Sequence, residues 1–282
     1  MKMENWEYKK QKVKDFTNYM NKYYGIKIYN ERLHILLFAD DIILFASNLS
    51  SIKKQFKIIE EKCKGIGLVC NMSKTRIMSN REFDFCEIES CQFYKYLGQE
   101  VCFDRTRNNI EISRRIKAAW LAKKKYNEML KNAKEEDKIK IYKMGIKPSL
   151  LFGCQSWTMT KSLEEKINVT ERKILRSIYK LKAQDDKDKT KLEKIMEKLG
   201  CASSWAKIMK LKFLGHEWRR KNPLWLKNVL EWRPWEFKRP VGRPPTRYTE
   251  ELKLIPNWRT VIKDRDKWRD LTSRVLTINC PR

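Results

Sequence analysis

The chain is poor in the residues from which metal and redox sites are commonly built. Among its 282 residues only two are histidine, His34 and His216. Its eight cysteines stand at 63, 70, 86, 91, 102, 154, 201 and 280, and no CxxC occurs. A structural zinc site draws on clustered Cys and His, so no zinc is expected. Cysteines scattered in this way read as the free thiols of an intracellular protein. No apolar run approaches the roughly eighteen residues of a membrane-spanning helix, so no membrane partner is expected. The opening residues MKMENWEYKK lack the apolar centre of a secretory signal. Internal repeats and low-complexity tracts are also missing.

Negative charge is in deficit: 35 Asp and Glu stand against 63 Lys and Arg, a net charge of +28. An excess of this size implies a polyanionic partner, nucleic acid first and an acidic membrane surface second. The ten Trp, eleven Tyr and eleven Phe suit base stacking, although most such rings serve a core. Mean hydropathy is −0.69, yet 41% of residues are hydrophobic, which describes a folded basic protein and not a disordered tail. The length allows one large domain or two to three small ones.

The stretch organising the chain is Leu33–Ala46, LHILLFADDIILFA. Two apolar runs meet at Asp40-Asp41, which predicts a β-hairpin with the acids at its tip. Both runs are apolar at nearly every position, so both faces are expected to be at least partly covered. Adjacent carboxylates held between buried strands repel and lose hydration, and a divalent cation relieves both effects. The plainer alternative is a solvated turn, where Asp is common.

Phe38-Ala39-Asp40-Asp41 (FADD) between apolar strands resembles the core motif of reverse transcriptases. Gly67-Leu68, Asn71 and Lys74-Thr75 resemble the segment that follows in those enzymes, and Tyr96-Leu97-Gly98 resembles their primer-grip strand. Gly153-Cys154-Gln155-Ser156-Trp157-Thr158 and Arg239-Pro240-Val241-Gly242-Arg243-Pro244 resemble the C-terminal half of the endonuclease–reverse transcriptases of LINE-type (non-LTR) retrotransposons. The resemblance runs from about Tyr24 to about Arg269. It implies Asp40 and Asp41 as catalytic ligands of Mg²⁺. It places Phe38, Ala39 and Lys74 near the incoming nucleotide, and Tyr96, Leu97 and Gly98 at the primer. The family's fingers, and its earlier palm strand with another metal-binding Asp, have no counterpart here. Asp15 is an upstream candidate, but its context KVKDFTNYM is not that strand. The resemblance therefore implies a truncated polymerase that does not extend primers alone, completed by a missing N-terminal segment or a second copy. The alternative is a non-catalytic, retroelement-derived DNA- or RNA-binding protein.

The fold class expected is α+β: a partial palm over 1–105, a thumb-like helical bundle over 106–182, and a basic, Trp-rich nucleic-acid-binding region over 183–282. Asn48 or Ser50 caps a helix over 51–64, with Ile52, Phe56, Ile59 and Cys63 on one face and Gly65 and Gly67 ending it. Two short strands follow at 68–70 and 75–78, then a strand pair over 93–103. Ile112, Ile116, Ala119, Trp120 and Leu130 form one helical stripe, opposite Arg114, Arg115, Lys117, Lys123, Lys124 and Lys125. A second helix spans 136–145. A third is opened by a capping box at Ser162 and Glu165. Arg114, Arg115, Lys123 and Lys124 are candidate phosphate contacts, with a solvated basic face as the alternative. Residues 181–190 read as a linker, and its acid pair Asp185-Asp186 is not a site. Helices are expected near 190–199, 203–221 and 224–231. Lys238, Arg239, Arg243 and Arg247 frame a Pro-Gly segment similar to the minor-groove AT-hook, although Val241 stands in place of the first Arg of its core. A stiff basic connector is the alternative there.

Overall fold

The computed structural model describes residues 24–81, 88–104, 106–220, 224–231 and 246–278. Two compact units divide the chain, one built on Met1–Gln92 with Lys227–Phe237, the other on Phe93–Leu226 with Lys238–Arg282.

The first unit opens with a small hairpin of β1 (Ile26–Ile28) and β2 (Glu31–Leu33), paired Ile26↔Leu33 through Ile28↔Glu31. The predicted hairpin follows at once: β3 (Ile35–Phe38) and β4 (Asp41–Leu44) run antiparallel in the register Ile35↔Leu44 to Phe38↔Asp41. Then comes α1 (Leu49–Gly65), whose cap is Asn48, accepting from the Ser51 N–H at 2.8 Å. The helix ends as its glycines predict. Leu68 N–H reaches back to Cys63 O (2.9 Å) and Gly67 N–H to Lys64 O (3.1 Å), with Gly67 at φ 77. Gln55 is fully buried and donates to Phe45 O at 3.0 Å, tying α1 to the end of the hairpin.

Two expectations for this unit fail. Residues 68–70 and 75–78 do not form strands, apart from a single parallel bridge from Ile77 to Ser90. Their backbone bonds are used locally: Asn71 Oδ1 accepts from Lys74 N–H (3.2 Å) and Asn71 O from Thr75 N–H (3.0 Å), a turn closed by the Asn71 side chain and carbonyl. Nor are both faces of the main hairpin covered. Exposure climbs from 8% at Ile35 through 48% at Leu37 to 60% at Phe38. Among the described residues no third strand pairs with β3 or β4, so apolar composition alone does not bury them.

The second unit begins with β5 (Tyr94–Tyr96) and β6 (Gln99–Val101), joined by Leu97 (φ 46) and Gly98 (φ 76). Positive φ at both central residues is the I′ geometry that matches strand twist. Helices follow: α2 (Arg107–Lys125), α3 (Asn127–Asn132), α4 (Glu135–Ile141), a π turn (Tyr142–Ile146), α5 (Lys147–Leu151), α6 (Lys161–Tyr179), α7 (Asp186–Leu199) and α8 (Ala202–Trp218). The chain continues with α9 (Leu224–Glu231), most of which belongs to the first unit, and then α10 (Trp258–Val261) and α11 (Arg265–Ile278) of the second. Helix α2 packs on α5 and α6, α6 on α7 and α8, and α8 on α11.

Ile112, Ala119, Ile146, Leu150, Ile167 and Ile174 are completely buried in one core, while Trp120, predicted on the same stripe, is 38% exposed. The second helix runs on past Gly145. The π turn breaks the bonding ladder just ahead of Pro148, in the first turn of α5, where its missing N–H costs little. Thr160, not Ser162, caps α6, accepting from Leu163 N–H at 3.3 Å. The second half of the expected linker, 186–190, is helix: Asp185 caps α7 through Lys187 N–H (2.9 Å), and Leu192, Ile195 and Leu199 further along join the same core as Ile112. The acid pair there is a helix start, which explains its lysine-rich setting.

A buried polar network locks α6 to the start of α8. Glu171 is fully buried; it accepts from Tyr142 OH at 2.7 Å and from Ala202 N–H at 2.6 Å, and pairs with Lys147 at 3.4 Å. Asn168 Oδ1 takes Ser203 N–H at 3.1 Å, so two orphan donors of α8 are satisfied from α6. Burial, then the Glu171 charge, push the Tyr142 hydroxyl well above its ordinary pKa. Burial lowers that of Lys147 in spite of Glu171.

Candidate functional site

Asp40 and Asp41 differ in backbone role. Ala39 (φ 49) and Asp40 make the two-residue turn, and Asp41 is the first paired residue of β4. Cross-strand pairing puts Asp41 on the same face as Phe38. Ala39 in the left-handed region costs about 1–2 kcal/mol, and such strain concentrates at functional turns. Both carboxylates are exposed and keep their hydration, so desolvation between buried strands does not operate here. Two exposed carboxylates suit Mg²⁺, which binds one or two protein acids and keeps several waters. Among the described residues no group of three His, Cys, Asp or Glu side chains is placed to hold a metal, so these two acids fit part of a site. Asp15 lies outside the described residues.

Lys74 belongs to the same unit. It is exposed, in the turn built by Asn71, with Ser73 Oγ donating to Asn71 Oδ1 at 2.7 Å. Tyr96, Leu97 and Gly98 fall in the second unit, where their turn is fixed from beneath by α2. Glu111 on α2 is 2% exposed. It accepts from Glu100 N–H (2.9 Å), Arg114 Nε (3.0 Å) and Arg115 Nε (2.7 Å). Both guanidiniums also donate to Gly98 O. The Arg115 guanidinium lies 4.4 Å from the centre of the Phe152 ring, and a Cβ at Gly98 would come within 3.2 Å of that ring. Burial alone would raise the Glu111 carboxyl, but the Glu100 N–H and the two guanidiniums outweigh it and hold the pKa below its ordinary value. The sequence sets Arg115 on a solvent face; the structure buries it at 8% exposure, because its charge is answered by Glu111. Glu111 is the residue missed by sequence reading: a lone Glu in RNNIEISRR gives no sign that it faces inward.

Gly153–Thr158 is a junction within the same unit. Gly153 (φ 77) opens a 3-10 turn at Cys154–Ser156, and Ser156 Oγ donates to Gln99 Oε1 at 2.6 Å. Gln155 O accepts from Tyr248 OH at 2.5 Å, Trp157 O from Lys210 Nζ at 3.1 Å, and Thr158 N–H reaches Asn108 at 3.4 Å. Lys210 is 1% exposed, pairs with Glu251 at 2.7 Å and sits 4.1 Å from the Tyr248 ring centre. This motif joins β6, α2, α8 and the Tyr248 turn.

Of the other basic candidates, Arg114 is 30% exposed, Lys123 is half-buried and Lys124 is exposed on α2, while Arg247 is exposed further on. Lys238, Arg239 and Arg243 lie outside the described residues. No helix among the described residues is long and apolar enough to cross a membrane. The six described cysteines are free thiols.

Residues 13–101 match the family model described as reverse transcriptase (RNA-dependent DNA polymerase). The match takes in the FADD hairpin, the Lys74 turn and the Tyr96–Gly98 turn, and it starts earlier than Tyr24. The chain is also similar to a transposon-derived protein of Caenorhabditis elegans, 29% identical over 282 aligned residues that cover 89% of this chain and 99% of that protein. A reverse-transcriptase-like segment thus sits within a chain that resembles a transposon-derived protein along most of its length.

Proposed function

We propose that the protein is a nucleic-acid-binding derivative of a LINE-type reverse transcriptase, with a partial palm in its first unit and thumb-like helices in its second. The observation that carries this reading is the Phe38–Asp41 turn. It presents two exposed carboxylates from a strained hairpin tip, inside the residues that match the reverse transcriptase family. Asp40 and Asp41 would hold Mg²⁺, which when bound supplies charge neutralisation at phosphate and activation of a primer hydroxyl. The protein's own part is to aim the two acids, to hold the Leu97-Gly98 turn rigid through Glu111, and to supply a basic surface for phosphates. Arg115 serves by locking that turn, and exposed Lys124 and Arg247 by meeting phosphate directly. With two acids in the site, the chain alone binds template without extending primer.

The experiment is primer extension with Mg²⁺ on a primed RNA template, with template binding followed in the same tube and Asp40→Asn as control. The expected result is binding without extension. Binding should fall steeply with salt, because each neutralised phosphate releases a counterion and contributes about −0.9 to the slope of log K against log salt on duplex. Extension that disappears in Asp40→Asn overturns the inactive reading. Binding that is flat with salt overturns the nucleic-acid reading.

A further inference from the structure

Helices α2, α3, α4 and the end of α6 border an open cavity of about 320 Å³ in the second unit. Lys123, Lys131, Lys138 and Lys180 line it, and no carboxylate does. Among the described residues none of the four forms an ion pair. Lys123 reaches Asn127 Oδ1 at 3.4 Å, and Lys138 sits 5.5 Å from the centre of the Tyr179 ring. Glu135, at the start of α4, attracts Lys138 but is itself ion-paired with Lys191. Four lysines lining one cavity without an acid among them make its wall electropositive, which favours an anion.

Two further features set this cluster apart from an ordinary basic surface. Lys180 caps α6 in the left-handed region, φ 55 and ψ 38, where glycine is the usual residue. The chain holds a strained lysine at the cavity wall where glycine would be easier. Besides apolar Leu130 and Ile178, the remaining wall offers Asn127, Ser177 and Tyr179, which are neutral hydrogen-bonding groups and an aromatic ring. We propose that this cavity is a binding site for a phosphomonoester, either the phosphorylated end of a nucleic acid strand or a free nucleotide. A phosphomonoester carries close to two negative charges and three strong acceptor oxygens, against one charge for an internal phosphodiester. The volume is at the small end of ligand pockets and suits one nucleotide, not a strand passing through. The site lies outside residues 13–101 and stands independently of the metal-site reading.

The test measures binding to the full chain of thymidine 5′-monophosphate against thymidine, and of a ten-residue oligothymidylate with and without its 5′-phosphate. Lys138→Gln, Lys180→Gly and their combination are compared with wild type, the single variants against Lys187→Gln and the combination against the charge-matched Lys187→Gln/Lys212→Gln. Hydrogen bonds from charged donors lead us to expect the phosphate to strengthen binding roughly tenfold or more. The preference should vanish in the pocket variants and survive in the control. Lys180→Gly relieves the left-handed strain, so its melting temperature should hold or rise while the preference is lost. Preference in the mononucleotide pair alone assigns the site to a free nucleotide; preference in the oligonucleotide pair alone assigns it to a strand end. Oligonucleotide binding with no phosphate preference, or a preference unchanged in the pocket variants, overturns the proposal and leaves the nucleic-acid reading standing. A lowered melting temperature in Lys180→Gly with preference intact assigns Lys180 to the helix dipole and also overturns it.

Discussion

Removing the Glu111 carboxylate should collapse the support beneath the Leu97-Gly98 turn, with a cost large enough to measure. Its partner Arg115 has a side chain 10% exposed, against 3% for Glu111, at 2.7 Å. Truncation to Ala leaves that guanidinium buried without its counter-charge, a change that costs about 3–5 kcal/mol. Arg114, 30% exposed, adds little because solvent screens it. The Glu100 N–H loses its acceptor as well. We expect Glu111→Ala to destabilise the protein by about 3–5 kcal/mol and Glu111→Gln, which keeps an acceptor, by about 1–3 kcal/mol. Against a total of roughly 5–15 kcal/mol, the Ala variant is marginal.

Urea unfolding followed by far-ultraviolet circular dichroism gives the size. Hydrogen exchange at the Glu100 amide gives the place, where each 1.4 kcal/mol or so lost quickens exchange about tenfold. The pH dependence tests the cause. The folded carboxyl titrates below its ordinary value of 4.5, so its stabilisation is complete above that value and disappears as pH falls through the folded one. The gap between wild type and Glu111→Gln should therefore close in acid. A loss under about 1 kcal/mol for Glu111→Ala, or a gap that does not change with pH, would refute the argument that the buried ion pair holds the turn.

Gly215→Ala should cost about 2–4 kcal/mol, because its Cβ would meet the Trp268 indole nitrogen, which donates to Leu211 O at 2.9 Å; thermal melts check this. Burial pushes the Cys154 thiol from 9.0 up to about 12, so its contribution is intact below pH 9.0 and lost as pH rises toward 12. The ceiling is roughly 4 kcal/mol, offset by Lys147 and Lys210, whose lowered pKa values act in the opposite sense. Urea midpoints should thus fall more steeply with alkaline pH in wild type than in Cys154→Ala, and parallel curves would contradict this. Ala39→Gly should slow amide exchange in β3 and β4 by relieving the positive φ, raising the opening free energy by up to about 1 kcal/mol; faster exchange would contradict the strain.

By itself the sequence determined the local devices. Two apolar runs around Asp40-Asp41 dictate a two-residue hairpin, because the period of the pattern and the polar break leave little else. Gly67 marks the end of α1, since only a few residue types adopt positive φ cheaply, whereas the turn at Leu97-Gly98, read only as part of a strand pair over 93–103, came from the structure. The chain's net charge of +28 sets the expectation of a polyanionic partner. The tertiary structure decided what each polar or apolar residue faces. Apolar β3 and β4 are exposed toward their tip because burial requires a covering layer, which composition cannot supply. Arg115 and Lys210 are buried because Glu111 and Glu251 meet them, from four residues away in one case and from 41 in the other. The Asp185-Asp186 linker is a helix start because Leu192, Ile195 and Leu199 have a core to join. Lys123, Lys131, Lys138 and Lys180 share one cavity only because α2, α3, α4 and α6 converge there. Such convergence depends on contacts between distant segments, and periodicity along a chain records only the neighbours within a turn or two.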